Sequence, residues 1–152
     1  MSTQEQLTAD LKAAMKNGDT VTKDTIRMIK AAIQNATIAA KGMTLDDDGV
    51  SEVLAKMAKQ YRDSITTYKD ANREDLVASE ENELKVLMRY VPEQMSTDEV
   101  RAIVTTVVAE VAATSLGDKG KVMSKLMPQV RGKADGSLVN TIVTEALGSL
   151  TS

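Results

Sequence analysis

The sequence predicts an all-α protein, and three observations support this prediction. Apolar residues recur at three- and four-residue spacing in seven segments, which is the period of an amphipathic helix. Ser, Asp, Gly and Pro stand where such segments begin and end. Even the segment richest in β-branched residues, near 100–111, keeps helical spacing and does not alternate. We expect an N-terminal helical domain of about four helices, residues 1–92, and then a small three-helix domain, residues 96–152.

Four helices are predicted before Pro92, over residues 3–17, 22–40, 47–71 and 73–90. Asn17-Gly18 and Lys41-Gly42 are helix stop signals for the first two. Pro92 ends the fourth, because proline disfavours a helical residue before it and lacks the backbone donor. The predicted apolar stripes consist of Leu7, Leu11, Ala14 and Met15; of Ile26, Ile29, Ile33 and Ala36; of Val50, Val53, Leu54, Met57, Tyr61, Ile65 and Tyr68; and of Leu76, Val77, Leu84, Leu87 and Met88.

Several charged residues of this half admit two interpretations. Asp46, Asp47 and Asp48 lack the calcium-loop pattern, so we favour an acidic first helical turn over a cation site. Glu80 lies on the fourth stripe, where it either pairs with Arg27 or Arg62 or marks the edge of the stripe. The short basic row Lys23/Arg27/Lys30 is typical of a solvated helix face. Lys56, Lys59 and Arg62 form a second small basic row on the third helix.

Three further helices are predicted after the linker that runs from Pro92 to Met95. Ser96 and Glu99 match a capping box before the valine-rich helix. The sixth segment contains Pro128, which predicts a kink or an end near Met127. The seventh helix is expected from about Gly136 to Leu150.

Composition excludes several classes of function. The 152 residues contain no Cys and no His, so disulfides, thiolate metal sites and Ser-His or Cys-His catalytic pairs cannot form. We expect no catalytic residues, no metal site and no cofactor. No apolar run approaches the about 20 residues that span a bilayer, so we expect no membrane contact and a cytoplasmic location.

The stretch from Gly117 to Gly136 is the strongest candidate for a functional surface. Residues 117–133 carry five bases and one acid, although the whole chain has a net charge of −3. Four of the eight glycines lie in this stretch, and Asp118 and Asp135 are each placed to cap the following helix. Glycine corners, a helix N-terminus and lysines together favour phosphate binding. The residues predicted to contact RNA are Gly117, Lys119, Gly120, Lys121, Lys125, Arg131 and Lys133.

The stretch from Gly117 to Gly136 has two other interpretations. Gly117-Asp118-Lys119-Gly120 matches the G-x-x-G loop of KH domains, but the strands that a KH fold requires are missing. The glycines and aspartates are also explained as ordinary turns and caps without any ligand.

Blocks of residues along the whole chain resemble the YqeY-like family (GatB/YqeY). They include Gly120-Lys121-Val122-Met123, Gly132-Lys133-Ala134-Asp135-Gly136, Arg27-Met28-Ile29, Lys59-Gln60, Arg73-Glu74-Asp75-Leu76 and Tyr90-Val91-Pro92. Tyr61 departs from the family pattern, which often has a base there. The last third of this family is similar to the tail domain of the B subunit (GatB) of glutamine-dependent aspartyl/glutamyl-tRNA amidotransferase, which grips tRNA. The resemblance implies a relation to carbon–nitrogen ligases that use glutamine as amide donor, without the catalytic parts of that enzyme.

The first hypothesis is that the protein binds tRNA or structured RNA through contacts to the sugar-phosphate backbone. Its predicted protein partner is an amidotransferase or another translation-related protein. The scarcity of aromatic residues argues against base stacking on single strands. The alternative is a helical module for protein–protein interaction that never touches RNA, with methionines as an adaptable surface. An independent glutamine amidase is the least supported reading, because the sequence shows no nucleophile with an oriented base.

Overall fold

The computed structural model describes residues 2–150. Over this range the chain forms seven α-helices and one short 3-10 turn, with no strand, which confirms the all-α prediction. The helices are α1 (Thr3–Asn17), α2 (Thr20–Ala39), α3 (Asp47–Asp70), α4 (Glu74–Met88), α5 (Thr97–Glu110), α6 (Lys119–Val130) and α7 (Gly136–Leu150), and the 3-10 turn (Leu116–Asp118) precedes α6.

Short polar side chains define most helix starts, as the sequence indicated. The Ser96 hydroxyl accepts from the Glu99 N–H (3.1 Å) at the start of α5. The Asp46 carboxylate accepts from the Gly49 N–H (2.7 Å), and Asp47 and Asp48 occupy the first turn of α3. The three aspartates therefore form an acidic helix N-terminus, the interpretation that the sequence favoured.

The N-terminal unit extends to Pro92 and contains α1 to α4. Its helices pack mainly as two pairs, α1 with α2 and α3 with α4, while α2 also packs against α3 and α4. A hydrogen bond from the Tyr90 hydroxyl to the Asp10 carboxylate ties the chain just after α4 to α1. The buried core consists of Leu7, Ile26, Ile29, Ile33, Val50, Leu54, Ala58, Tyr61, Val86, Leu87 and Tyr90.

The C-terminal unit begins at Glu93 and contains α5, α6 and α7. Each of the three helices packs against the other two. The core consists of Val100, Val104, Val107, Ala113, Val122, Leu126, Val130, Val139, Ile142, Val143 and Leu147, all from aliphatic side chains. The assignment of residues 1–92 and 96–152 as two domains stays a prediction.

Four expectations about individual residues were wrong. Met15, assigned to the core stripe of α1, has 54% of its surface exposed, and Met88 of α4 has 37% exposed. Val86 was not assigned to a stripe and is buried. The predicted end near Met127 is not observed, because α6 continues to Val130 with Pro128 inside it and one missing N–H removes a single bond of the ladder. A kink at Pro128, the other predicted outcome, stays a prediction.

Glu80 on α4 lies at the edge of the apolar stripe, where its side chain is half-buried. In the described part of the chain neither Arg27 nor Arg62 pairs with it. The guanidinium of Arg62 instead donates to the sulfur of Met88 at 3.6 Å. The second interpretation of Glu80, an edge position, is the one observed.

Replacing Ala112 with glycine is expected to raise the free energy of unfolding by about 1 kcal/mol, because alanine is strained in the left-handed region. Ala112 follows α5 at φ 53°, and the chain reverses there with the Ala113 N–H donating to the Val108 carbonyl (3.0 Å). The matched control is Ala109→Gly, inside α5, which should lower stability by about 1 kcal/mol. Urea denaturation measures both changes, and a loss of stability in Ala112→Gly would contradict the prediction.

Candidate nucleic-acid interface

The 3-10 turn before α6 is held by two side chains. The Ser115 hydroxyl accepts from the Gly117 N–H (3.3 Å). The Asp118 carboxylate turns back and accepts from the N–H groups of Thr114 (2.8 Å) and Ser115 (3.3 Å). The hydrogen bond from the Thr114 N–H is the main cause that lowers the pKa of Asp118, and Lys121 adds a smaller effect. The 3-10 turn is therefore stabilised by side chains that precede α6.

Asp118 does not cap α6, contrary to the sequence prediction. It stands at the N-cap position of α6, but its side chain makes no cap hydrogen bond to that helix. Its carboxylate is already used by the 3-10 turn, so the first turn of α6 has no side-chain cap. Asp135, in contrast, caps α7 as predicted, accepting from the Ser137 N–H at 3.3 Å.

The first turn of α6 carries three of the predicted RNA-contacting residues. Lys119 is half-buried, while Gly120 and Lys121 are exposed. Gly120 lies in the helix, and a Cβ there would meet no neighbouring heavy atom within 4 Å. The preceding Gly117 is also exposed. Two lysines thus flank a helix N-terminus at an open glycine-containing surface, an arrangement that attracts anions.

Lys125, one turn further along α6, has a partner. Its ammonium nitrogen lies 2.8 Å from a carboxylate oxygen of Glu110, the last residue of α5. Both side chains are about half exposed, at 49% and 44%. The neighbouring carboxylate offsets the charge of Lys125, so this residue adds less to the basic surface than the sequence suggested.

Arg131 and Lys133 lie at the other end of α6, so the structure does not bring all the predicted residues together. The 12 residues of α6 span about 18 Å. Arg131 is half-buried and Lys133 is exposed. The predicted surface therefore consists of two basic ends, a Gly117–Lys121 end and an Arg131–Lys133 end, and Lys125 lies between them.

The Arg131–Lys133 end is held in place by the segment that precedes α5. The Gln94 side-chain amide donates to the Gly132 carbonyl (3.1 Å), and the Met95 N–H donates to the Lys133 carbonyl (2.8 Å). Gly132 is buried and has φ 76°. Sequence reasoning treated Gln94 and Met95 only as linker residues, because a contact across 38 positions leaves no local signal.

Residues 2–150 show neither a metal site nor a membrane-spanning helix. This part of the chain contains no group of three or more acidic side chains placed to hold a metal ion. It also contains no helix with both the length and the apolar character needed to cross a bilayer. The basic ends of α6 remain the candidate site.

Comparison with known proteins identifies the family. The model of the "Yqey-like protein" family matches residues 4–147 of the chain. A relative from Pyrenophora tritici-repentis, "Altered inheritance of mitochondria protein 41, mitochondrial", is 33% identical over 147 residues, covering 95% of this chain and 80% of that protein. The chain belongs to the YqeY-like family. The YqeY-like assignment confirms the resemblance carried by the blocks from Arg27 to Gly136.

Two yeast relatives of this YqeY-like chain carry the same protein name. The relative from Kluyveromyces lactis is 42% identical over 84 residues, and the one from Saccharomyces cerevisiae is 37% identical over 84 residues. Each of these matches covers 55% of this chain and 45% of the relative. The matched region thus spans less than half the length of both yeast proteins. The word "mitochondrial" in these names describes the relatives.

Proposed function

We propose that the C-terminal unit binds the sugar-phosphate backbone of tRNA or another structured RNA. The observation that carries the proposal is the Gly117–Lys121 end of α6, where Lys119 and Lys121 flank a helix start without a side-chain cap. Exposed lysines beside a helix N-terminus provide charge and backbone donors for phosphate oxygens. YqeY-like membership supports the same reading through the similarity of the family to the tRNA-gripping GatB tail.

The proposal includes no catalysis by this chain, since no nucleophile with an oriented base was found in the sequence. An amidotransferase or another translation-related protein is the proposed partner that would use the bound RNA. A cytoplasmic location is also part of the proposal.

The strength of binding should depend on salt in a predictable way. Lys125 is paired with Glu110 and Arg131 has an interaction of its own within the chain, which leaves Lys119, Lys121 and Lys133 as the principal phosphate contacts. Three contacts predict a slope of about −2 to −3 when the logarithm of the tRNA affinity is plotted against the logarithm of the salt concentration. Filter binding with the full chain measures this slope, and an affinity that does not change with salt would exclude backbone binding.

Replacing Lys119 and Lys121 together with alanine should weaken tRNA binding at least tenfold and bring the salt slope to about −1. The matched control replaces Lys12 and Lys16 of α1 with alanine, which removes the same charge from exposed positions in the N-terminal unit. Equal loss in both double variants would mean that only the net charge matters, and the proposed site would be wrong.

The alternative function, a protein-interaction module, has one supporting observation. Met15, Met28, Met43 and Met88 of the N-terminal unit are exposed, and flexible thioether side chains suit adaptable contacts. The Met28→Lys variant tests this alternative. If it loses binding to a protein partner and still binds tRNA, the two functions lie on separate surfaces.

A further inference from the structure

A cleft lies between α1 and α2 in the N-terminal unit, away from the residues of the proposed RNA contact. Its volume is about 320 Å³, which is within the range of sites that hold small molecules. Leu7 and Ile33 form an apolar floor, since both side chains are buried. The other lining residues are polar or charged, and they are Gln4, Thr8, Lys30, Gln34 and Thr37. The cleft therefore combines an apolar floor with polar walls.

Lys30 is the charged group of this cleft. The sequence assigned it to a solvated basic row, but its side chain is half-buried. Its ammonium donates to the Thr8 hydroxyl oxygen at 2.9 Å. The Thr8 hydroxyl itself donates to the Gln4 carbonyl (3.1 Å), so its oxygen is available as an acceptor and orients the ammonium. Among residues 2–150 no carboxylate forms an ion pair with Lys30, so the cleft holds a positioned positive charge without a counter-ion.

The opposite end of the cleft presents a hydrogen-bond acceptor. Thr37 follows Lys30 by seven residues on the same face of α2, about 10 Å further along the helix axis. Its hydroxyl donates to the Ile33 carbonyl (2.9 Å), so toward the cleft its oxygen can only accept. Gln4 and Gln34 add side-chain amides to the walls. A ligand that spans the cleft therefore meets a cation at one end and an acceptor at the other.

We propose that this cleft binds a small linear carboxylate that carries a hydrogen-bond donor at its far end. The carboxylate pairs with the Lys30 ammonium, the alkyl chain covers the apolar floor, and the terminal donor bonds to the Thr37 hydroxyl oxygen. One lysine balances one negative charge, which favours a carboxylate over a phosphate dianion. Phosphate groups are commonly held by arginine forks, and no arginine lines the cleft. This site is independent of the proposed RNA contact, because it lies in the N-terminal unit.

The probe for this site is 6-hydroxyhexanoate, a linear chain with one carboxylate and one terminal hydroxyl. Titration into the ¹⁵N-labelled full chain should give saturable shifts of the amide signals on both walls of the cleft, with a dissociation constant of about 1–10 mM. The diol 1,6-hexanediol keeps the chain and a hydroxyl but lacks the charge, and it should give no saturable shift. Hexanoate keeps the charge but lacks the terminal donor, and it should bind about threefold to tenfold more weakly.

Three variants locate the two ends of the ligand. Lys30→Met removes the ammonium but keeps an unbranched side chain over the apolar floor, and it should weaken binding of 6-hydroxyhexanoate at least tenfold. Lys23→Met makes the same change on the same helix outside the cleft, and it should leave the affinity within twofold. Thr37→Val removes the acceptor, so it should lower the affinity for 6-hydroxyhexanoate to that for hexanoate and leave hexanoate binding unchanged. The melting temperature of each variant shows whether it is folded.

Four results would overturn the proposal. A shift that rises linearly with the concentration of 6-hydroxyhexanoate would show that the cleft is not a site. Equal weakening in Lys30→Met and Lys23→Met would mean that only the net charge of the chain matters. Equal binding of 6-hydroxyhexanoate and 1,6-hexanediol would mean that the cleft does not recognise a carboxylate. Equal affinity for 6-hydroxyhexanoate and hexanoate would remove the far-end donor, and with it the role of Thr37.

Discussion

Replacing Gly132 with alanine is expected to lower the free energy of unfolding of the C-terminal unit by about 1–2 kcal/mol, because a Cβ is strained in the left-handed region. Gly132 has φ 76° and is buried, and its carbonyl accepts from the Gln94 side chain. Any shift of the backbone that relieves the strain would disturb this hydrogen bond. Hydrogen exchange of the α6 and α7 amides measures the change within the unit itself.

The matched control is Gly120→Ala, at the other end of α6. Gly120 lies inside the helix with open space around it, so alanine should raise stability by about 0.5–1 kcal/mol. If phosphate approaches the backbone at Gly120, the same variant should bind tRNA more weakly although it is more stable. Unchanged tRNA affinity would remove Gly120 from the proposed site, and equal stability of the two variants would contradict the backbone argument for Gly132.

Replacing Tyr90 with phenylalanine is expected to lower the free energy of unfolding by about 1.5–3 kcal/mol, the range for a hydrogen bond to a charged group. The Tyr90 hydroxyl donates to the Asp10 carboxylate, and the ring is buried in the N-terminal core. Tyr61→Phe removes a hydroxyl that has no hydrogen-bond partner in the described chain, so its stability should be equal to or above that of the parent. Thermal or urea denaturation distinguishes these opposite effects.

The same pair of tyrosines predicts how stability changes at alkaline pH. Burial is the main cause that raises the pKa of Tyr61 from 10.0 to about 12, and burial followed by the hydrogen bond to Asp10 raises the pKa of Tyr90 as well. The folded chain therefore holds these protons more tightly than the unfolded chain. The two protonated phenols therefore add to the free energy of unfolding. This stabilisation is complete below about pH 10, the pKa of an unfolded tyrosine, and is lost as pH rises through the folded pKa values.

Urea denaturation between pH 9 and pH 12 should show this loss directly. Tyr61→Phe and Tyr90→Phe should each make the stability of the chain fall less steeply across this range. Tyr68 is the remaining tyrosine, and Tyr68→Phe is the control that keeps both buried phenols. A profile that is as steep in the Tyr61 and Tyr90 variants as in the parent would contradict the assignment.

The sequence by itself determined the features that depend on neighbouring residues. All seven helices were predicted, and the bounds given for α1 to α4 and for α7 lie within about two residues of the observed ones, because apolar period, caps and stop signals act over one or two turns. The N-terminal caps at Ser96 and Asp135 and the acidic start of α3 at residues 46–48 followed from the same local chemistry. The family also followed from residues read in order along the chain.

Only the tertiary structure decided which of these residues are exposed to a ligand and which already contact another part of the chain. Lys125 pairs with Glu110, and Gln94 holds the Gly132 corner, through contacts between segments that are distant in sequence. The exposure of Met15 and the burial of Val86 depend on which neighbouring helix covers each face. The Asp118 carboxylate could accept hydrogen bonds either in the 3-10 turn or at the start of α6. It accepts from the N–H groups of Thr114 and Ser115, so it stabilises the 3-10 turn. The contacts of Lys125 and Gln94 and the exposure of Met15 depend on packing between elements, which no local pattern encodes, whereas Asp118 is engaged by neighbours three and four residues away.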